Sequence, residues 1–159
     1  GMSPKRIVVS TSGVPKMIKK MADDDVKFKL AVSLHSAIDD VRTSIMPFNA
    51  TFPLNDLREA LQYWYAKTKN RITYEYVVWD GINDKRKDVD ALVEFCKFAP
   101  SKVNIIEYNP IDDGEFQQAQ SKAIDMYVNV LESNHITVTV RRSRGKDIDA
   151  ACGQLANKS

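Results

Sequence analysis

The sequence predicts an α/β fold, a mostly parallel sheet with flanking helices. Two observations predict it. Short runs rich in β-branched and aromatic residues recur along the 159 residues. Between successive runs lie stretches whose apolar residues repeat at helical spacing. Strands separated by single helices join through right-handed crossovers, and that connection makes a sheet parallel.

The elements follow in order. "RIVVSTSG" (6–13) is a buried strand with a small, polar exit turn. Pro15 suits the first turn of a helix, and "PKMIKKMADD" (15–24) places Met17, Ile18 and Met21 on one side. "FKLAVSLH" (28–35) is the second strand, and "DDVRTSIM" (39–46) a short helix capped by Asp39 or Asp40. "PLNDLREALQYWYAKT" (53–68) is an amphipathic helix, with Leu54, Leu57, Leu61 and Trp64 inward and Asn55 as its N-cap. "RITYEYVVW" (71–79) is a third strand and "DGIND" a turn. "DKRKDVDALVEFCKF" (84–98) is a helix burying Val89, Leu92, Val93 and Cys96. "SKVNIIEYNP" (101–110) is a strand stopped by Pro110, followed by a polar loop. "SKAIDMYVNVLESN" (121–134) is a helix with Ile124, Tyr127, Val128 and Leu131 inward. "ITVTVRR" (136–142) leans toward alternation and therefore toward a sheet edge. Spacing alone does not choose between an open doubly wound sheet and an arc of a β/α barrel.

Composition bounds the function. The apolar fraction of 43% and charged fraction of 28% are those of an ordinary globular chain. No apolar run approaches the roughly 18 residues of a membrane span, and no hydrophobic leader stands at the start. Two distant cysteines make no disulfide framework, which predicts a reducing, cytoplasmic setting. A net charge of +2 says little about nucleic acid. Its distribution says more, because Arg141, Arg142, Arg144 and Lys146 fall together as a basic patch. Gly1 precedes Met2, and Lys5-Arg6 runs at once into a strand, so the chain is expected to begin in the middle of a fold.

Parallel α/β folds bind ligands at the carboxyl ends of their strands. Here those ends are Ser10-Thr11-Ser12-Gly13, Ser33-Leu34-His35, Trp79-Asp80 and Tyr108-Asn109-Pro110. Together they describe a polar rim able to hold a ligand with hydroxyls, an amine and a carboxylate. Taken singly, each has a plainer reading: a cap and turn for the serines, a hydrogen-bonded structural imidazole for His35, a turn starter for Asn109. The sequence has no Walker loop, no GxGxxG and no zinc-ligand spacing. Cys96 reads as core. Cys152 stands in a small, polar run after the arginines. It is either a packed small hydrophobe or a reactive thiol held next to a polyanion.

"VSTSG", "AVSLH", "YEYVVWDGINDK", "KVNIIEYNP" and "VRRSRGKDIDAACGQL" occur in this order. The chain thereby resembles the C-terminal part of the RlmN/Cfr family of radical S-adenosylmethionine RNA methyltransferases, closer to the RlmN branch. "RGKDIDAACGQL" is the most specific piece. The resemblance runs from Lys5 to Ala156 and implies the later strands of a partial radical SAM β/α barrel. Residues 1–159 would be the C-terminal portion of that barrel domain, with 141–156 an arginine-rich cysteine segment and the N-terminal part of the enzyme absent.

The resemblance implies methylation of adenine C2 in 23S rRNA and in tRNA, with S-adenosylmethionine and a [4Fe-4S] cluster as cofactors. It implies that Cys152 carries the methyl group before transfer, that Ser10, Ser33, Leu34, His35 and Asn109 contact S-adenosylmethionine, and that Arg141, Arg142, Arg144 and Lys146 bind RNA. A thiolate is the reactive form of cysteine, and neighbouring arginines favour it. No membrane and no obligate protein partner is implied. The family's CxxxCxxC cluster motif, its glycine-glutamate motif and its second, upstream cysteine are missing here. The cluster is therefore expected only in an intact parent, and this chain is expected to be inactive alone. The alternative is a non-catalytic RNA-binding or SAM-binding module of the same fold. A third reading is an ordinary small-ligand domain in which Cys152 is merely packed.

Overall fold

A computed structural model describes residues 8–24, 28–109 and 117–144, the side chains of 108–109 and 142–144 excepted. The strands are β1 (Val8–Thr11), β2 (Lys29–Ser33), β3 (Ile72–Val78), β4 (Ser101–Asn109) and β5 (Thr137–Arg144). The helices are α1 (Pro15–Asp23), α2 (Asp39–Ile45), α3 (Leu54–Thr68), α4 (Arg86–Cys96) and α5 (Ser121–Ser133), with a 3-10 turn at Pro47–Ala50.

The sheet is wholly parallel among the described residues, in the order β1-β2-β3-β4-β5. This order decides what spacing left open. A doubly wound sheet reverses its strand order at a switch point, whereas a barrel segment does not. β5 lies at an edge, where its alternating pattern places it.

A sequential order with one hand of crossover puts the helices on one face, and the core shows it. Leu30, Val32, Ile72, Tyr74, Tyr76, Val78, Val103 and Ile105 point to that face and pack against Ile18, Leu57, Leu61, Trp64, Leu92 and Leu131. Strand residues of the other parity face away. On that opposite face, Val77, Trp79 and Ile106 are covered by Ile45, Met46 and Phe48 of α2 and the 3-10 turn. The segment after β2 thus crosses to the sheet's far side before α3 returns to the helix layer.

Four local expectations need correction. Met17 is 59% exposed, while Ile18, as expected, and Ala22 hold α1 to the core with Met21 packed against it. Val128 is only half-buried on α5. Asn55 does not cap α3, whose N-cap position is Pro53 without a side-chain bond. The Leu54 N–H donates to the Asp39 carboxylate at 2.9 Å, so a distant side chain satisfies that terminus. Neither Asp39 nor Asp40 caps α2: both lie inside its first turn, after Ile38.

Candidate functional site

At the carboxyl end of β1, Thr11 Oγ1 accepts the Gly13 N–H at 3.0 Å and tightens the turn. Gly13 has φ +104°, and a Cβ there would lie 3.1 Å from Leu57 Cδ1 and 3.3 Å from Arg42 Nη2. Glycine is needed both for its conformation and for the approach of that guanidinium.

Arg42 is fully buried. Its Nε donates to the Leu34 carbonyl at 3.0 Å, and its Nη2 to the Ser12 carbonyl at 2.7 Å and the Ser33 carbonyl at 3.2 Å. Its Nη1 donates to Asn49 Oδ1 at 2.8 Å. The Asn49 amide group donates in turn to Asp39 Oδ1 at 3.1 Å and to Thr43 Oγ1 at 3.0 Å. One cation therefore ties the ends of β1 and β2 to α2 and the 3-10 turn, with the Phe48 ring 5.4 Å from its Cζ. Burial lowers its pKa to about 10, with the nearby Asp39 charge opposing that shift. At neutral pH it remains charged.

β2 is expected to run through His35 but ends at Ser33. The Leu34 N–H still reaches the Glu75 carbonyl at 3.0 Å, so the next ladder bond of a regular parallel pair would join the Val77 N–H to the Leu34 carbonyl. That carbonyl is instead taken by Arg42 and by the Ser36 N–H at 2.7 Å. The Val77 N–H donates to His35 Nδ1 at 3.0 Å. An imidazole thus replaces a peptide carbonyl at the last rung. An accepting Nδ1 is unprotonated, so the neutral ring carries its proton on Nε2. His35 is 3% exposed, and burial, helped by the Arg42 charge, holds its pKa down to about 3. Its ring meets Trp79 edge-on at 5.4 Å, and its backbone is left-handed at φ +59°.

Asn83 braces the other side. It is fully buried, accepts the Trp79 N–H at 2.7 Å, and donates to the carbonyls of His35 at 2.7 Å and Val77 at 2.8 Å. Tyr127 Oη donates to the Asn83 carbonyl at 2.6 Å and pairs with Tyr76 Oη at 2.9 Å. The turn "DGIND" is therefore a structural part of the site.

The sequence-predicted residues fall as follows. Ser10 is exposed on the open face of β1 and Ser33 is half-buried at the end of β2. Leu34 buries its side chain in the helix-side core, and its N–H and carbonyl are both engaged within the protein. Asn109 is the last residue of β4, opposite Arg144 in the ladder. Arg141 projects onto the open face, where its Nη2 lies 3.5 Å from Glu75 Oε2. Glu75, level with Ser33, also accepts from Asn104 Nδ2 at 3.3 Å, and Asn104 Oδ1 accepts from Thr139 Oγ1 at 2.5 Å. Arg141, Glu75 and Asn104 border a groove of about 720 Å³, lined also by Ser10, Lys29, Thr73 and Lys102. The side chains of Arg142 and Arg144, and all of Lys146 and Cys152, lie outside the described residues.

No group of three metal-ligating side chains occurs among the described residues. Cys96 is buried in the core, and burial raises its thiol to about 12, so it is a poor nucleophile and ligand.

No protein-family model matches the sequence. Curated relatives do. The probable dual-specificity RNA methyltransferase RlmN of Christiangramia forsetii is 76% identical over the whole chain, which covers 45% of that relative. The RlmN of Flavobacterium johnsoniae is 73% identical over 99% of the chain and 45% of the relative. The chain belongs to the RlmN family. It spans about half the length of the RlmN relatives it matches. A crystal structure of a radical SAM methyltransferase from Sphaerobacter thermophilus superposes with TM-score 0.85 at 36% identity, covering 96% of this chain and 45% of that one. A domain of pyruvate-formate lyase-activating enzyme from Bacteroides vulgatus shares the fold, with TM-score 0.63 at 15% identity over 84% of this chain and 80% of that one. The expected segment of a radical SAM α/β fold is thus the one observed.

Arg42, Asn49 and Asn83 escape sequence reading. Arg42 had one available signal: with Ile38, Ile45 and Met46 it occupies a helical stripe that is otherwise apolar. Asn83 had none, since "DGIND" reads fully as a turn.

Proposed function

We propose that this chain is the strand-end and thiol-bearing part of a cytoplasmic dual-specificity RNA methyltransferase of the radical SAM class, acting on adenine C2 in 23S rRNA and in tRNA. The observation that carries the reading is 76% identity, along the whole chain, to a relative named a probable dual-specificity RNA methyltransferase.

The described residues suit S-adenosylmethionine at the ends of β1, β2 and β4. Ser33 offers a half-buried hydroxyl beside backbone that Arg42 and Asn83 immobilise. His35 stands at the end of β2 with its ring orientation fixed through Nδ1. Leu34 contributes shape through its held peptide and no spare hydrogen bond. Ser10 and Asn109 complete the assignment from the flanking strands.

S-adenosylmethionine would supply the methyl group. Cys152 accepts it as thiolate and holds it near the RNA, with Arg142, Arg144 and Lys146 favouring the anion and drawing phosphate. Arg141 shares this role but is partly engaged by Glu75. A [4Fe-4S] cluster does not fit the residues of this chain. Its two cysteines are too few, and one is the buried Cys96. The cluster belongs to the remaining half of the parent.

The test is mass spectrometry of the Cys152 peptide from the full-length protein. A methyl on that thiol is expected, with loss of RNA methylation in Cys152→Ala. A fully active Cys152→Ala variant refutes the carrier role.

A further inference from the structure

We propose that Arg42 is a positioning residue for cofactor binding, acting through the peptides of Ser12, Ser33 and Leu34 without touching the ligand. The inference rests on the reading above, that Ser33–His35 contact S-adenosylmethionine.

Two arrangements compete at the end of β2. In one, the ladder continues, the Leu34 carbonyl takes the Val77 N–H, and the strand runs straight through His35. In the other, which the structure adopts, Arg42 holds the Leu34 carbonyl and the Val77 N–H turns to His35 Nδ1. The second requires a left-handed residue, a conformation unfavourable for a side chain with a Cβ, at His35. A buried guanidinium offsets that strain. Left without its acceptors it would be a buried charge stripped of its hydrogen bonds, which are among the stronger ones a protein makes. Arg42 also joins the Ser12 and Ser33 carbonyls through one nitrogen, which fixes the spacing between the ends of β1 and β2. Asn49 aims the guanidinium, and Asp39 orients Asn49.

Lysine keeps the charge but has a single nitrogen and cannot span the same acceptors. In Arg42→Lys the ladder is predicted to extend to Leu34, releasing His35 from Val77.

The experiment uses the full-length polypeptide that carries this chain. Calorimetry with S-adenosylmethionine is expected to show ten- to hundredfold weaker binding in Arg42→Lys, with RNA affinity unchanged. Nitrogen-15 NMR is expected to show His35 neutral with its proton on Nε2 and its Nδ1 hydrogen-bonded in the unsubstituted protein, and in the variant an Nδ1 resonance that has lost the Val77 donor. Asn49→Ala, which keeps the guanidinium but removes its guide, is expected to bind three- to tenfold more weakly, and it serves if Arg42→Lys does not fold. Leu61→Ala, a core change away from the strand ends, is expected to lower Tm without altering the affinity.

Unchanged affinity in both Arg42→Lys and Asn49→Ala overturns the proposal, as does an equal loss of affinity in Leu61→Ala. If the unsubstituted protein itself fails to bind S-adenosylmethionine, the functional reading falls and the proposal with it. If it binds and the variants bind equally, the proposal alone falls.

Discussion

At the scale of the residue, His35 makes the clearest claim. Its folded-state pKa of about 3 lies below the ordinary 6.5. Between those values the unfolded chain binds the proton and the folded chain does not. Stability therefore rises with pH across that window and is lost as pH falls from about 6.5 toward 3. The slope from this group is at most about 1.4 kcal/mol per pH unit. Urea unfolding at pH 7, 5 and 4 is expected to show that loss, and His35→Gln to show a flatter profile. Equal slopes would mean that the ring is not held neutral. His35 was legible as a strand-end imidazole. Its carbonyl-like role was not, because that depends on Arg42, whose acceptors lie 7, 8, 9 and 30 residues away in sequence. Spacing along a chain reports neighbours on a helix or strand. It does not report where a long side chain ends after the chain has turned back on itself.

Among the elements, apolar periodicity located the five strands and five helices well, because burial of one helical stripe or one strand face is a local demand on sequence. The departures occur where an end is set from elsewhere. β2 stops two residues short of the expected His35 because Arg42 claims a ladder acceptor. α3 begins on the Asp39 carboxylate and not on the expected Asn55. Asp39 thereby joins α2 to the start of α3 while steadying Asn49. Asp39→Ala is expected to cost about 1–3 kcal/mol, the penalty for stranding partly buried donors, and thermal unfolding measures it. Asp40→Ala, one residue on and exposed, is the control and should change little. Similar losses in both variants would remove Asp39 from this role.

For the molecule as a whole, the family was legible because its most specific stretches are contiguous motifs, whereas the strand order was not, since spacing fits more than one parallel topology. Two cysteines, one of them buried with a thiol raised to about 12, leave no ligand set for a cluster. Anaerobic reconstitution of this chain with iron and sulfide is expected to give no [4Fe-4S] absorbance, and stoichiometric uptake would contradict that. The sheet order has a further consequence, for the way the chain folds. Among the described residues, each strand pairs only with the strands before and after it in sequence. No pairing has to wait for a strand more than one crossover away, which keeps loop-closure entropy low for a parallel sheet. As the polypeptide leaves the ribosome, every new strand meets an edge already formed by its predecessor, so the sheet can grow in the order in which it is synthesised.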